Sequence, residues 1–121
     1  MAPSVGPYSP WRRAGDLVVI SGQLGVVAGE NGLTLVEGGA AEQLRQALVN
    51  ARKVLGEAGA TFDQVVKATL FILDMKDFPS CNEVWLAAFD PPRPTRSAIA
   101  VHQLPLGALA EVEFWAYAPV D

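Results

Sequence analysis

Pro94-Thr95-Arg96-Ser97-Ala98-Ile99-Ala100-Val101 and, beyond a Leu104-Pro105 break, Ala110-Glu111-Val112-Glu113-Phe114 are two β-prone stretches. Each sets one charge early among residues suited to burial. Alternation along 95–103 sends Thr95, Ser97, Ile99 and Val101 to one face and Arg96, Ala98, Ala100 and His102 to the other. Arg96 thus looks across a floor of alanines, which leaves space beside its guanidinium. In the second stretch Glu111 shares its parity with Glu113, Trp115 and Tyr117.

Working outward, Val65 to Leu73 is β-branched and apolar on both parities, which reads as a central strand. Upstream, Leu44, Ala47, Leu48, Ala51, Leu55 and Ala58 recur at three- and four-residue steps, one buried stripe of a helix from Ala40 to about Ala58 that Gly59 ends. Asp77 is the expected cap of a second helix, with Pro79 in its first turn and Phe78, Cys81, Trp85, Ala88 and Phe89 along one face. Asp90-Pro91-Pro92-Arg93-Pro94 stops it.

Towards the N-terminus, Tyr8–Arg13 and Asp16–Leu24 read as a hairpin about Ala14-Gly15. Gly29-Glu30-Asn31-Gly32 turns a smaller hairpin between Val26-Val27 and Leu33 to Val36. The order β-β-α-β-α-β-β specifies an α/β sandwich of the α+β kind, a mixed sheet with two helices on one face. Two helices cover only one face of such a sheet, yet 65–73 and 111–117 put large apolar groups on both. The bare face is therefore expected to meet another copy of the chain.

At 121 residues the chain fits one domain, 1–121, with a core that needs no metal or disulfide staple. Thirteen acidic residues against nine basic give a net charge of −4, which argues against a broad phosphate-tracking surface and hence against nucleic acid. One cysteine, Cys81, and one histidine, His102, exclude an intrachain disulfide and clustered metal ligands. No basic-then-apolar leader opens the chain and no run approaches the ~18 apolar residues of a membrane span, so a cytoplasmic protein without membrane contact is expected.

Five positions carry the candidate chemistry. Arg96 suits bidentate capture of a carboxylate, and an internal Arg–Glu ion pair or a rim position competes with that reading. Glu111, flanked by apolar strand residues, can have a raised pKa and orient a water or move a proton; two solvated glutamates on a strand edge are the alternative. Gly22 in Ser21-Gly22-Gln23 permits close approach of backbone to ligand, or marks an ordinary turn or bulge. Tyr8 follows the stiff Gly6-Pro7 and either aims at a pocket or anchors the N-terminus. Ala98 adds to the small-residue floor beside Arg96. Asn82 reads as a solvent-facing or backbone-bonding residue, and Cys81 as a core hydrophobe. Ser97 and His102 lie on opposite strand faces, and without a Gly-x-Ser-x-Gly elbow they make no hydrolase pair. A simple hairpin of the last two strands would leave Arg96 and Glu111 about six residues apart, on the order of 20 Å.

Gly6-Pro7-Tyr8, Ser21-Gly22-Gln23, Asp77-Phe78 followed by Asn82, Pro94-Thr95-Arg96-Ser97, Leu104-Pro105 and Glu111-Val112-Glu113 stand in the order and spacing of the RidA (YjgF) family. The resemblance spans nearly the whole chain. It implies a chorismate-mutase-like fold, a homotrimer with ligand sites in clefts between subunits, and a last strand not paired with its sequence neighbour, which would remove the distance problem. It also implies hydrolysis of enamines and imines such as 2-aminoacrylate to 2-keto acids and ammonia, with neither cofactor nor metal. By that resemblance Arg96 binds the substrate carboxylate, Glu111 positions or activates water, and Tyr8 and Gly22 shape the pocket. Many deaminase members carry cysteine where this chain has Ala98, a position that would contribute backbone and pocket shape. The competing expectations are a non-catalytic binder of small carboxylates and an RNA-cleaving or translation-inhibiting protein.

Overall fold

Alternation of buried and exposed residues along the strands sets the architecture of the computed structural model, which describes residues 6–120. The residues before Gly6 and the final Asp121 lie outside the described residues. Strands β1 (Trp11–Ala14), β2 (Leu17–Leu24), β5 (Val65–Ile72), β6 (Thr95–Ala100) and β7 (Ala110–Tyr117) form one sheet in the order β1-β2-β7-β5-β6. Only β5 and β6 run parallel; the other pairs are antiparallel. β3 (Val26–Gly29) and β4 (Gly32–Leu35) form the separate small hairpin expected around Glu30-Asn31. β1 starts at Trp11 rather than Tyr8, after a proline that has no N–H to give a ladder.

Helix α1 (Ala40–Glu57) buries Leu44, Ala47, Leu48, Ala51, Val54 and Leu55 against β2 and β7. It ends where expected: Gly59 takes φ +83°, and the amides of Gly59 and Ala60 return to the carbonyls of Gly56 and Leu55, satisfying groups the helix leaves unpaired. Arg13 closes the same end, its guanidinium donating to the carbonyls of Ala58 (3.0 Å) and Ala118 (2.7 Å). Gln43, buried on α1, accepts the Leu109 amide at 2.8 Å and so fixes the entry to β7. Asn50 donates to the carbonyls of Leu24 and Val26, holding the β2–β3 junction on α1. At that junction Gly25 lies so close to α1 that a Cβ would overlap the backbone of Gln43.

The second helix starts at Phe78, after Asp77 as expected, but the capping bond comes from elsewhere. Asp74, not Asp77, caps: its carboxylate accepts the Lys76 amide at 2.9 Å and opens a short turn over Met75–Asp77, which runs directly into α2 (Phe78–Ala88). Asp77 is itself helical and makes no side-chain cap. The turn before the helix is thus the one that carries a side-chain cap.

Both helices cover one face of the sheet. Phe114 sits fully buried at its centre, edge-on to Phe62 and Phe89, which stack on each other at 4.8 Å. The other face is uncovered in a single chain. Trp115 there is 42% exposed, Ile99 44% and Tyr117 55%, the two-sided apolar pattern read from the sequence.

Candidate functional site

Because β7 pairs with β2 and β5, it is separated from β6 by one strand, as the resemblance implied. Arg96 aligns with Ala68, and Ala68 with Phe114. Glu111 therefore lies two strands across and three residues along, roughly 14 Å away between Cα atoms. That is closer than a hairpin would allow, but it does not unite the pair. Phe114 faces the helices, and a residue three positions from it faces the opposite way. The expectation that strand order alone removes the distance problem is thus corrected: one chain sends Arg96 and Glu111 out of opposite faces of its sheet.

On the helix-covered side, at the rim, Arg96 is held by α2. Its Nη2 donates to Asn82 Oδ1 at 2.9 Å, and its guanidinium carbon lies 5.0 Å from the Trp85 ring and 5.4 Å from that of Phe78. Positions 78, 82 and 85 fall at i, i+4 and i+7 of one helix, so a single helix face forms the cradle. No carboxylate lies within ion-pair range of Arg96 among the described residues, so the internal Arg–Glu pair is absent. Partial burial draws the guanidinium down from its ordinary value, opposed by the nearby Cys81 thiol. An arginine remains cationic through such a shift. Cys81 is fully buried; burial and Asp77 push its thiol up, with Arg96 pulling the other way, and it packs as the expected core residue. Ala98, beside Leu70 on the same side as Arg96, keeps the floor shallow.

The uncovered face carries the second group. Register places three rows across it: Arg12, Val19, Trp115, Lys67 and Thr95; then Glu113, Thr69 and Ser97; then Glu111, Phe71 and Ile99. Burial raises Glu111 above the usual carboxylate range, and Glu113 adds to the rise. The alternative of a plainly solvated glutamate does not describe this position.

A register shift between Ile20 and Gln23 puts a bulge in β2 at Ser21-Gly22, beside Glu111. A Cβ at Gly22 would lie 2.8 Å from Glu111 Cδ and about as close to both its oxygens. Here the glycine makes room for a carboxyl rather than for an unusual backbone angle. Ser21 also holds the N-terminal segment: its hydroxyl donates to the Ser9 carbonyl at 2.7 Å and its amide to that of Pro10. Tyr8, exposed and one residue before Ser9, is thereby kept at the same end of β2 as Gly22.

Gly22 and Glu111 thus form one group, with Tyr8 held at the same end of β2, and Arg96, Ala98 and Asn82 form another. Asn82 escaped the sequence reading as a functional residue. Its place four residues after Phe78 and three before Trp85, on the stripe assigned to the buried face, was the available signal.

The family model described as Endoribonuclease L-PSP matches residues 1–118. The chain is 40% identical over 110 residues to a 2-iminobutanoate/2-iminopropanoate deaminase of Bos taurus, covering 91% of this chain and 79% of that protein. It is 37% identical over 113 residues to Protein mmf1, mitochondrial, of Schizosaccharomyces pombe, covering 91% and 67%. The crystal structure of RidA from the Antarctic bacterium Psychrobacter sp. PAMC 21119 superposes with a TM-score of 0.87 at 36% identity, covering 95% of this chain and 91% of that one.

Proposed function

The chain belongs to the endoribonuclease L-PSP family, that of YjgF and RidA, and on this premise we propose that it hydrolyses small enamine and imine carboxylates such as 2-aminoacrylate to 2-keto acids and ammonia. The observation that carries the reading is Arg96, a half-buried cation cradled by Asn82, Trp85 and Phe78 with no carboxylate of the described residues in ion-pair range. Such a guanidinium keeps N–H groups for a substrate carboxylate and sets its plane. The relatives named as 2-iminobutanoate/2-iminopropanoate deaminases support the same chemistry.

Because Arg96 and Glu111 leave opposite faces, the working site combines Arg96, Ala98 and Asn82 of one copy with Glu111, Gly22 and Tyr8 of another. The working form is a homotrimer, and the exposed Trp115, Tyr117 and Ile99 on the bare face favour association. With the substrate carboxylate on Arg96, its imine carbon is presented to a water held by Glu111. Ionised Glu111 takes a proton from that water as the O–C bond forms and the C=N pair returns to nitrogen. That proton passes to the nitrogen, and the hydroxyl proton follows by way of Glu111 as the C–N bond breaks, releasing ammonia and the keto acid. Since the imine is already electrophilic, positioning and one proton shuttle suffice.

The family description also raises an RNA-cleaving role. The small basic clusters do not favour it: Arg13 is occupied by backbone carbonyls and Arg93 donates to the Phe89 carbonyl at 3.1 Å. Little is left to track phosphates.

The test is to generate 2-aminoacrylate and bulkier imino acids in situ and trap unreacted imine with semicarbazide. The wild-type protein accelerates imine loss, and Arg96→Ala lowers the rate roughly 10²-fold, the loss of about two charge-assisted hydrogen bonds. Tight carboxylate binding with no acceleration would instead make the protein a binder.

A further inference from the structure

The mechanism above leaves one carboxylate without a task. Glu113 lies two residues from Glu111 on the same face of β7, separated by roughly 7 Å of strand rise. From the structure we infer that Glu113 is a positioning residue that sets the protonation of Glu111 and so the pH at which the water can be activated. The inference rests on the deaminase reading for its role in turnover.

Among the described residues, Glu113 is the charged group that shares the strand and face of Glu111. From β5 Glu111 meets Phe71, with Ile99 of β6 beyond; from β2 it meets Gly22 and Leu24. None of these titrates. The cations of this face, Arg12 and Lys67, stand in the row of Trp115, two rows away, and Lys67 lies over the Trp115 ring at 5.4 Å. Neither glutamate has an ion-pair partner among the described residues. The helices pack on the other face and bring no charge to this one.

A second copy's Arg96, needed to complete the site, would pull Glu111 towards a low pKa, where it is a weak base. The negative charge at Glu113 opposes that pull. The net result is a Glu111 that is ionised at neutral pH yet basic enough to take a proton from water. The sign follows: removing the charge at 113 makes Glu111 easier to ionise, so activity persists to lower pH.

The experiment compares wild type, Glu113→Gln and Glu113→Asp by the pH profile of kcat/KM for imine hydrolysis and by carbon-13 carboxyl titration of Glu111. In Glu113→Gln the acid limb moves to lower pH, so that the rate at pH 4–5, taken as a fraction of its own plateau, rises roughly two- to tenfold, the scale of one charge at this distance in a partly solvated site. Glu113→Asp keeps the charge and stays closer to the wild-type limb. The Glu111 carboxyl titrates at lower pH in Glu113→Gln as well. An unchanged acid limb in a variant with normal KM, or an unchanged Glu111 titration, overturns the inference. A wild-type protein that hydrolyses no imine removes the deaminase reading, and the carboxyl titration still decides whether Glu113 governs Glu111.

Discussion

The covered and bare faces of the five-stranded sheet are made from alternate residues of the same strands, yet they behave as different materials. Beneath the helices β7 presents Ala110, Val112, Phe114 and Ala116, all fully buried, and charges enter at the rims, where Arg96 meets α2 and Arg13 meets the end of α1. On the bare side the same strand presents Glu111, Glu113, Trp115 and Tyr117, carboxylates and aromatics in one line. The first face is closed to change because backbone and side chains already touch; the second has room because no helix of its own chain packs on it. On the function proposed above, a site that uses both is assembled between chains.

Two glycines three residues apart sharpen the contrast. At Gly25 the obstacle is helix backbone, which cannot step aside, so Gly25→Ala separates α1 from the β2–β3 junction and costs roughly 3 kcal/mol or more. Chemical denaturation should show that loss, and a change below ~1 kcal/mol would mean that the junction is looser than its packing implies.

The next largest effect concerns the division between faces. Arg96→Ala and Glu111→Gln should each be nearly inactive. Denatured together, refolded and mixed in equal amounts, they should regain roughly a quarter of the wild-type rate, the share of interfaces that join two intact halves in random assembly. If both groups served one chain, no mixture would recover activity.

The smallest effect belongs to the second glycine. At Gly22 the obstacle is the flexible end of Glu111, so Gly22→Ala displaces a carboxyl rather than a helix. The rate should fall roughly 10- to 100-fold through that misplacement, while stability changes by less than ~1 kcal/mol. Steady-state kinetics beside a melting curve separate the two.

Much of this was legible in the residues. The stripe from Leu44 to Leu55 and the glycine that ends it read directly as α1, because local spacing decides a helix face. The alternation of 110–117 likewise gave both faces of β7. Strand order was not legible from spacing: β7 lies between β2 and β5 because that placement buries Phe114 under both helices, a long-range outcome. The Asn82–Arg96 bond was hidden for a similar reason, since a helix residue and a strand residue 14 positions apart meet only after packing. Family motifs named Arg96 and Glu111 together, but only the register showed that one chain points them apart.

The grip of Arg13 reaches further than a cap. One guanidinium holds the carbonyl that closes α1 and that of Ala118, just past β7, while its own residue belongs to the edge strand β1. Loosening of β1 therefore releases a helix end and the C-terminal segment together. The early and late parts of the chain are joined into one cooperative unit, and fraying at the edge of the sheet becomes an event felt at its centre.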